Sequence, residues 1–247
     1  MNRKAHHEKE PGGVGAIGLG AGRFAACSET VAVPIEGAFL EGRLEIPAGA
    51  RGVVVFAHGS GSSRRSPRNQ IVARHLQAAG LGTMLFDLLT AEEERSDART
   101  GHWRFNISLL AERLVVAARW LQQQPAGRGR GLGLFGASTG AAAAIVAAVM
   151  LGPVVKAVVS REGRPDLAGP ALPLLSAPTL LIVGSADLEV LELNRGAIAH
   201  LTCPHRLSVV PRATHLFDEP GALEEVAELA AKWFKSHLVT TDERAAS

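Results

Sequence analysis

An α/β architecture, with a mostly parallel sheet of about eight strands and helices on both faces, is the fold class this chain predicts. Three observations predict it. Continuous apolar runs such as Gly52–Ala57 and Thr179–Val183 have the composition of strands buried on both faces. Segments of helical periodicity lie between such runs, so strand and helix alternate along most of the chain. The 247 residues are 47% hydrophobic and 20% charged, which suits one domain with a sizeable core.

Taken in order, Thr30–Ile35 and Phe39–Ile46 alternate apolar and polar residues around Glu36-Gly37, a hairpin signal. Gly52–Ala57 is the first parallel strand. Asn69–Ala79 is helical, with Ile71, Val72, His75, Leu76 and Ala79 on one side, and Gly82–Phe86 is a strand ending at Asp87. Leu89–Gly101, with Glu92, Glu93, Glu94, Arg95, Asp97 and Arg99, reads as a solvated charged loop able to fold over one sheet edge. Trp103–Gln123 is a long amphipathic helix. Gly131–Phe135 is a strand, and the Ala-rich Thr139–Met150 is the helix after it. Val154–Val159, Thr179–Val183 and Arg206–Val210 are further strands. Val190–Leu201 is a helix, and Ala222–His237 closes the fold. Residues 1–28 and 240–247 are expected to be flexible tails flanking a domain over 29–239. Only ~20 residues separate Val159 from Thr179, too few for a large cap domain, so an open site is expected.

Composition excludes several function classes. Lys and Arg number 26 against 24 Asp and Glu, a balance that makes no case for nucleic acid or an anionic membrane as partner. No apolar run reaches the ~18 residues that span a bilayer. Cys27 and Cys203 form neither a disulfide framework nor a metal-binding spacing. Val14–Gly20 is too short and too glycine-rich for the core of a signal peptide, and Arg23 interrupts the faint lipoprotein pattern ending at Cys27. The expectation is a cytoplasmic monomer or weak homodimer acting on a small molecule, without metal or cofactor. Asn106-Ile107-Ser108 matches a glycosylation sequon but falls in a helical region. Two G-x-G-x-x-G matches, Gly13–Gly18 and Gly131–Gly136, lack the strand-then-turn context of a dinucleotide site.

The chemistry-bearing signal is Gly136-Ala137-Ser138-Thr139-Gly140, a G-x-S-x-G sequence between a strand and a helix. That context is the nucleophile elbow of the α/β-hydrolase fold. A serine hydroxyl needs a base beside it, and the base needs an orienting carboxylate. In hydrolases of this kind the three follow in the order Ser, acid, His. Of nine histidines only His200, His205, His215 and His237 follow Ser138, and only His215 sits in a loop just past the end of a strand. Asp187, four residues past Val183, is preferred over Asp166 as the acid; the alternative role for Asp187 is as N-cap of the helix starting near Glu189. An oxyanion needs two amide donors. Thr139 supplies one, and Ser60, in the loop His58-Gly59-Ser60-Gly61 after the first parallel strand, supplies the other. His58 is expected to hold that loop and, with Arg161 and Arg164, is a candidate to face the substrate. Arg64, Arg65, Arg161 and Arg164 could together attract a substrate carboxylate.

With these residues in place the chain resembles the α/β-hydrolase superfamily over about residues 30–238. It is most similar to the small, lidless, dienelactone-hydrolase-like branch, on the H-G-S-G loop at His58–Gly61, the elbow, the G-x-x-D turn at Gly184–Asp187 and Ala213–Phe217. The resemblance implies a serine hydrolase cleaving small carboxylic esters through an acyl-enzyme, with Ser138, His215 and Asp187 as triad. Dienelactone hydrolases proper carry cysteine at the nucleophile position. Ser138 therefore favours ordinary ester cleavage over a lactone, dienelactone or thioester substrate. A hydrolase-fold protein that binds without turnover is the alternative of another class. Ser160–Leu167 also looks like a hydrolase-like group often fused to phosphoribosyltransferase domains, in which glycine is expected where Glu162 stands.

Overall fold

A computed structural model describes residues 25–238. The tails expected over most of 1–28 and over 240–247 lie outside the described residues. Eight strands form one sheet in the order β1-β2-β4-β3-β5-β6-β7-β8. Strands β1 (Cys27–Ile35) and β2 (Ala38–Ile46) form the expected antiparallel hairpin. Gly37 turns it at φ +70°, a conformation open to glycine without steric cost. β2 joins β4 (Gly82–Phe86) antiparallel. From β4 onward, β3 (Gly52–Ala57), β5 (Gly131–Ala137), β6 (Val155–Arg161), β7 (Thr179–Gly184) and β8 (His205–Val210) run parallel.

Every residue of β3, β4 and β7 is buried, as their unbroken apolar composition requires of strands covered on both faces. On one face α1 (Pro67–Ala78) and α6 (Ala222–Leu238) pack together over Phe56, Phe135, Ile182 and Phe217. On the other lie α3 (Ile107–Gln123), packed against α4 (Thr139–Leu151), and α5 (Leu188–Ile198), packed against β7 and the segment that follows β6. Helix α4 is apolar all round, and a helix of that kind must be enclosed. It lies between α3 and a stretch of 3₁₀ turns at Pro165–Leu174. No helix among the described residues is long and apolar enough to cross a membrane.

The structure departs from expectation between Leu89 and Gln123. The segment read as a charged loop is a helix, α2 (Ala91–Thr100). A reciprocal cap starts it: Glu93 N–H donates to Thr90 Oγ1 at 3.1 Å and Thr90 N–H donates to Glu93 Oε2 at 2.7 Å. Glu92, Glu93 and Glu94 then face the positive end of the helix dipole. The helix expected from Trp103 begins only at Ile107, because Asn106 caps it by accepting from Leu109 N–H at 3.1 Å. The turn between α2 and α3 is gathered by the buried carboxylate of Asp97, which accepts from the amides of Trp103 and Arg104 and pairs with the Arg104 guanidinium. The second glycine motif, Gly131–Gly136, lies inside β5, and the first lies outside the described residues.

Gly133 in β5 is what lets α6 close on the sheet, since a Cβ there would sit 2.6 Å from the ring of Phe234. Phe234 is completely buried. Phe234→Ala is expected to lower stability by about 3–5 kcal/mol, measured as urea unfolding free energy, because the ring's void cannot collapse onto a glycine.

Candidate active site

Strands β3 and β5 are neighbours, yet the chain leaves β3 toward β4 and leaves β5 toward β6. Connections that depart in opposite directions open a crevice above the strand ends. Ser138 stands at that point, between Ala137, the last residue of β5, and Thr139, the first of α4. Its backbone is strained, at φ 53° and ψ −123°. Two glycines impose this turn. A Cβ on Gly136 would lie 2.4 Å from Ala141 Cα, and one on Gly140 would lie 2.3 Å from Ala57 O and 2.5 Å from His58 O. Helix α4 is thereby drawn against the loop following β3. The Ser138 amide donates to Arg161 O at 3.1 Å, and its side chain does not cap the helix.

Asp187 and His215 come from the loops after β7 and β8. The two loops are stitched together: Ala186 N–H donates to Ala213 O at 2.9 Å and Arg212 N–H to Ser185 Oγ at 2.7 Å. Asp187 fills both roles open to it. One carboxylate oxygen accepts from Val190 N–H at 3.2 Å and caps α5, while the other meets His215 Nδ1 at 2.7 Å. A carboxylate at Nδ1 fixes the proton there and leaves Nε2 as the basic nitrogen. No hydrogen bond joins Ser138 to His215 among the described residues. The imidazole is 41% exposed, so the site is open, as expected of a fold without a large cap. Asp166, the competing acid, is engaged elsewhere: Arg164 forks onto it with Nε and Nη2 at 2.9 and 2.8 Å.

The remaining candidates divide. The Thr139 amide opens α4 beside Ser138, and the loop after β3 stands against it. The Ser60 amide, however, already donates to Thr139 Oγ1 at 2.9 Å. His58 is part of the scaffold. Leu88 N–H donates to its Nε2 at 3.1 Å and its Nδ1 lies 3.0 Å from Gly59 O, while burial holds its pKa down and its ring neutral. It also walls a cavity of about 310 Å³ with Ser60, Leu88, Asp97, Arg104 and Leu110. Ser138, Asp187 and His215 are not among the walls, so this cavity adjoins the loop after β3 rather than the His215–Asp187 pair. Arg164 is neutralised by Asp166, and Arg64 by Asp87 and Glu41. Arg161 is buried with Nε and Nη1 unpartnered. Burial, with Arg68 nearby, pushes its pKa down to about 10.

One functional-site residue escaped the sequence reading. Glu162, just past β6, is 1% exposed and has φ +42°, a conformation that costs a non-glycine residue about 1–2 kcal/mol. Its amide donates to Ile182 O at 2.8 Å, and Asn194, buried in α5, donates to the adjacent Gly163 O at 2.9 Å. Gly184 N–H donates to Oε1 of Glu162. Oε2 has no partner and lies 3.9 Å from His215 Nδ1. Burial, reinforced by the Asp187 charge, pushes the carboxyl up to about 8. Ligand atoms of Glu162, Asp187 and His215 all lie within 4.8 Å of one another. The 2.7 Å contact of His215 with Asp187 is nevertheless shorter than the ~3.3 Å between two ligands of a tetrahedral zinc, so the geometry is that of shared protons. The only sequence signal for Glu162 was a charge standing where glycine was expected.

A family model described as the dienelactone hydrolase family matches residues 40–240. The crystal structure of a dienelactone hydrolase from Anabaena variabilis is 55% identical, with a TM-score of 0.85, covering 87% of this chain and 99% of that one. Two Mycobacterium tuberculosis proteins, from strains H37Rv and CDC 1551, are provisionally named phosphoribosyl transferases. Each is 55% identical over 210 residues, which is 85% of this chain but 46% of theirs. The chain thus spans about half the length of the curated relatives it matches. Est1E from Butyrivibrio proteoclasticus, 14% identical with a TM-score of 0.70 over 84% of this chain and 98% of its own, shares the fold.

The Glu162 carboxyl gives the site a pH-dependent stability. Its folded pKa of about 8 lies above the ordinary 4.5, so the folded protein holds a proton that the unfolded chain releases. This contribution is intact below about pH 4.5 and is lost as the pH rises through about 8. Discounted for screening at a partly open site, the loss is about 3 kcal/mol. Urea unfolding is expected to find Glu162→Gln more stable than wild type at about pH 9, with the advantage gone at about pH 5.

Proposed function

The chain belongs to the dienelactone hydrolase family, and from that premise we propose that it is a hydrolase that cleaves small carboxylic esters with Ser138 as nucleophile. His215 Nε2 takes the hydroxyl proton as Oγ attacks the carbonyl, then returns it to the leaving alcohol. Asp187 holds the imidazole in the required tautomer and balances its charge. The developing oxyanion is received by the Thr139 amide, at a helix N-terminus whose dipole favours negative charge, and by the Ser60 amide, which exchanges the Thr139 hydroxyl for the substrate. Water then attacks the acyl-enzyme with His215 again as base.

The observation that carries this reading is the 2.7 Å contact between His215 Nδ1 and Asp187, on loops that leave the same strand-end edge of the sheet as the strained serine turn. A ligand-binding module has no need of an oriented imidazole there. The missing Ser138–His215 hydrogen bond does not count against it, since such bonds are often long before substrate binds. The transferase name belongs to relatives about twice as long, and for the region they share with this chain hydrolysis is the reading the residues support. The protein is proposed to work as a cytoplasmic monomer or weak homodimer without metal or cofactor.

Charge around the crevice points to neutral esters. Arg64 and Arg164 are paired with acids, Arg65 is exposed where solvent screens it, and Arg161 is the buried guanidinium left with spare donors for a carboxylate. Neutral p-nitrophenyl esters should therefore be cleaved faster than carboxylate-bearing ones, and Arg161→Ala should leave that order unchanged; a reversed order in wild type would restore the carboxylate reading. Ser138→Ala should lower kcat by about 10⁴-fold or more with unchanged melting, and should abolish labelling by an organofluorophosphonate. Esterase turnover retained by that variant would overturn the assignment. Lactones and thioesters assayed beside the esters separate the substrate classes.

A further inference from the structure

Glu162 combines three features that a structural residue has no reason to combine. Its backbone is in the left-handed region, its carboxyl is buried, and one carboxyl oxygen has no hydrogen-bond partner. That oxygen is 3.9 Å from the same His215 nitrogen that Asp187 holds at 2.7 Å. Two acids from different strand ends thus converge on one imidazole nitrogen. We propose that Glu162 is a second carboxyl partner of His215, a positioning residue that shares a single negative charge with Asp187 and takes over the Nδ1 proton contact when Asp187 is neutral or absent. The proposal rests on the assignment of His215 as base.

The groups around Glu162 define how the pair works. Gly184 N–H from the end of β7 holds Oε1, so the free Oε2 is the oxygen aimed at the dyad. Arg161, its neighbour at the end of β6, favours the ionised form. Asp187, at the start of α5, disfavours it, and burial disfavours it most. Two carboxylates this close do not both ionise readily, so one keeps a proton. With Asp187 ionised, Glu162 is the carboxylic acid and its O–H is a donor toward the dyad. Removing the Asp187 carboxylate removes the repulsion. Glu162 then ionises more readily, and its Oε2 can accept Nδ1–H from the imidazolium formed when Ser138 gives up its proton. In wild type one proton and one negative charge stay distributed over the two acids; in Asp187→Ala the Glu162 proton is released to solvent and the negative charge rests on Glu162 alone.

The test compares wild type, Asp187→Ala, Glu162→Gln and the double variant on p-nitrophenyl acetate from about pH 6 to about pH 10, with folding verified by thermal melts. Asp187→Ala is expected to retain about tenfold or more of the residual kcat/KM that the double variant shows, and Glu162→Gln to lose an inflection near pH 8 present in wild type. Equal residual activity in Asp187→Ala and the double variant, or superimposable profiles for Glu162→Gln and wild type, would overturn the proposal. If Glu162→Gln does not fold, Asp187→Ala decides alone. Its His215 Nδ1 proton should give a hydrogen-bonded downfield NMR resonance, and absence of that resonance also overturns the proposal. An inactive Ser138→Ala beside either negative result sinks the Glu162 role only, whereas an active one sinks the esterase reading beneath it.

Discussion

The arrangement depends on how closely helix α4 can approach the loop after β3. The approach is steric: no Cβ fits at Gly140 against Ala57 O and His58 O, nor at Gly136 against the first turn of α4. Close contact there turns the chain abruptly at Ser138 and raises its side chain above the sheet. The same contact carries the Thr139 hydroxyl to the Ser60 amide and brings Gly59 against Ser138. Strain at the serine is held by packing on every side, from the amide bond to Arg161 O to the enclosed apolar cylinder of α4.

A second economy concerns charge. Most acids and bases near the strand ends are paired off: Arg64 with Asp87, Arg164 with Asp166, Arg104 with Asp97. Such pairs keep loops in register and contribute little field of their own. The groups left over are Arg161 and Glu162, adjacent in sequence, both buried and both with unpartnered atoms. Desolvation moves each toward neutrality, the guanidinium downward and the carboxyl upward. Beside the imidazole–carboxylate pair the site retains the Arg161 guanidinium, still cationic at neutral pH, next to a Glu162 carboxyl that keeps its proton.

Much of this was legible in the order of residues. Parallel strands announce themselves because burial on both faces demands unbroken apolar runs, and β3 and β7 were found to the residue or nearly so. The serine turn was legible from its glycines, and the 2.7 Å contact of His215 with Asp187 joins two positions that the sequence marks by their place just past strand ends. Helix α2 was not legible from hydrophobicity, since nine-tenths of its residues stay clear of the core and Asp97 alone is buried. Its signal lay in the cap, Thr90 with Glu93, which periodicity does not weigh. The late start of α3 likewise depends on Asp97 gathering amides at close range. Glu162 stood out only as a charge in a glycine's place, and its role was hidden for a deeper reason. Its significance comes from three loops meeting in space, and nothing in the linear spacing of 162, 187 and 215 declares it.

The bond from the Ser60 amide to the Thr139 hydroxyl means that the resting crevice is occupied by a piece of itself. A neutral carbonyl is no stronger an acceptor than an alcohol and has little power to evict it. An alkoxide does, because a full negative charge draws an amide about twice as strongly. Under the proposed ester hydrolysis the intramolecular occupant is a threshold, surrendering its donor to developing charge and withholding it from an unreacted ester, so that selectivity is exerted at the barrier and not at the encounter.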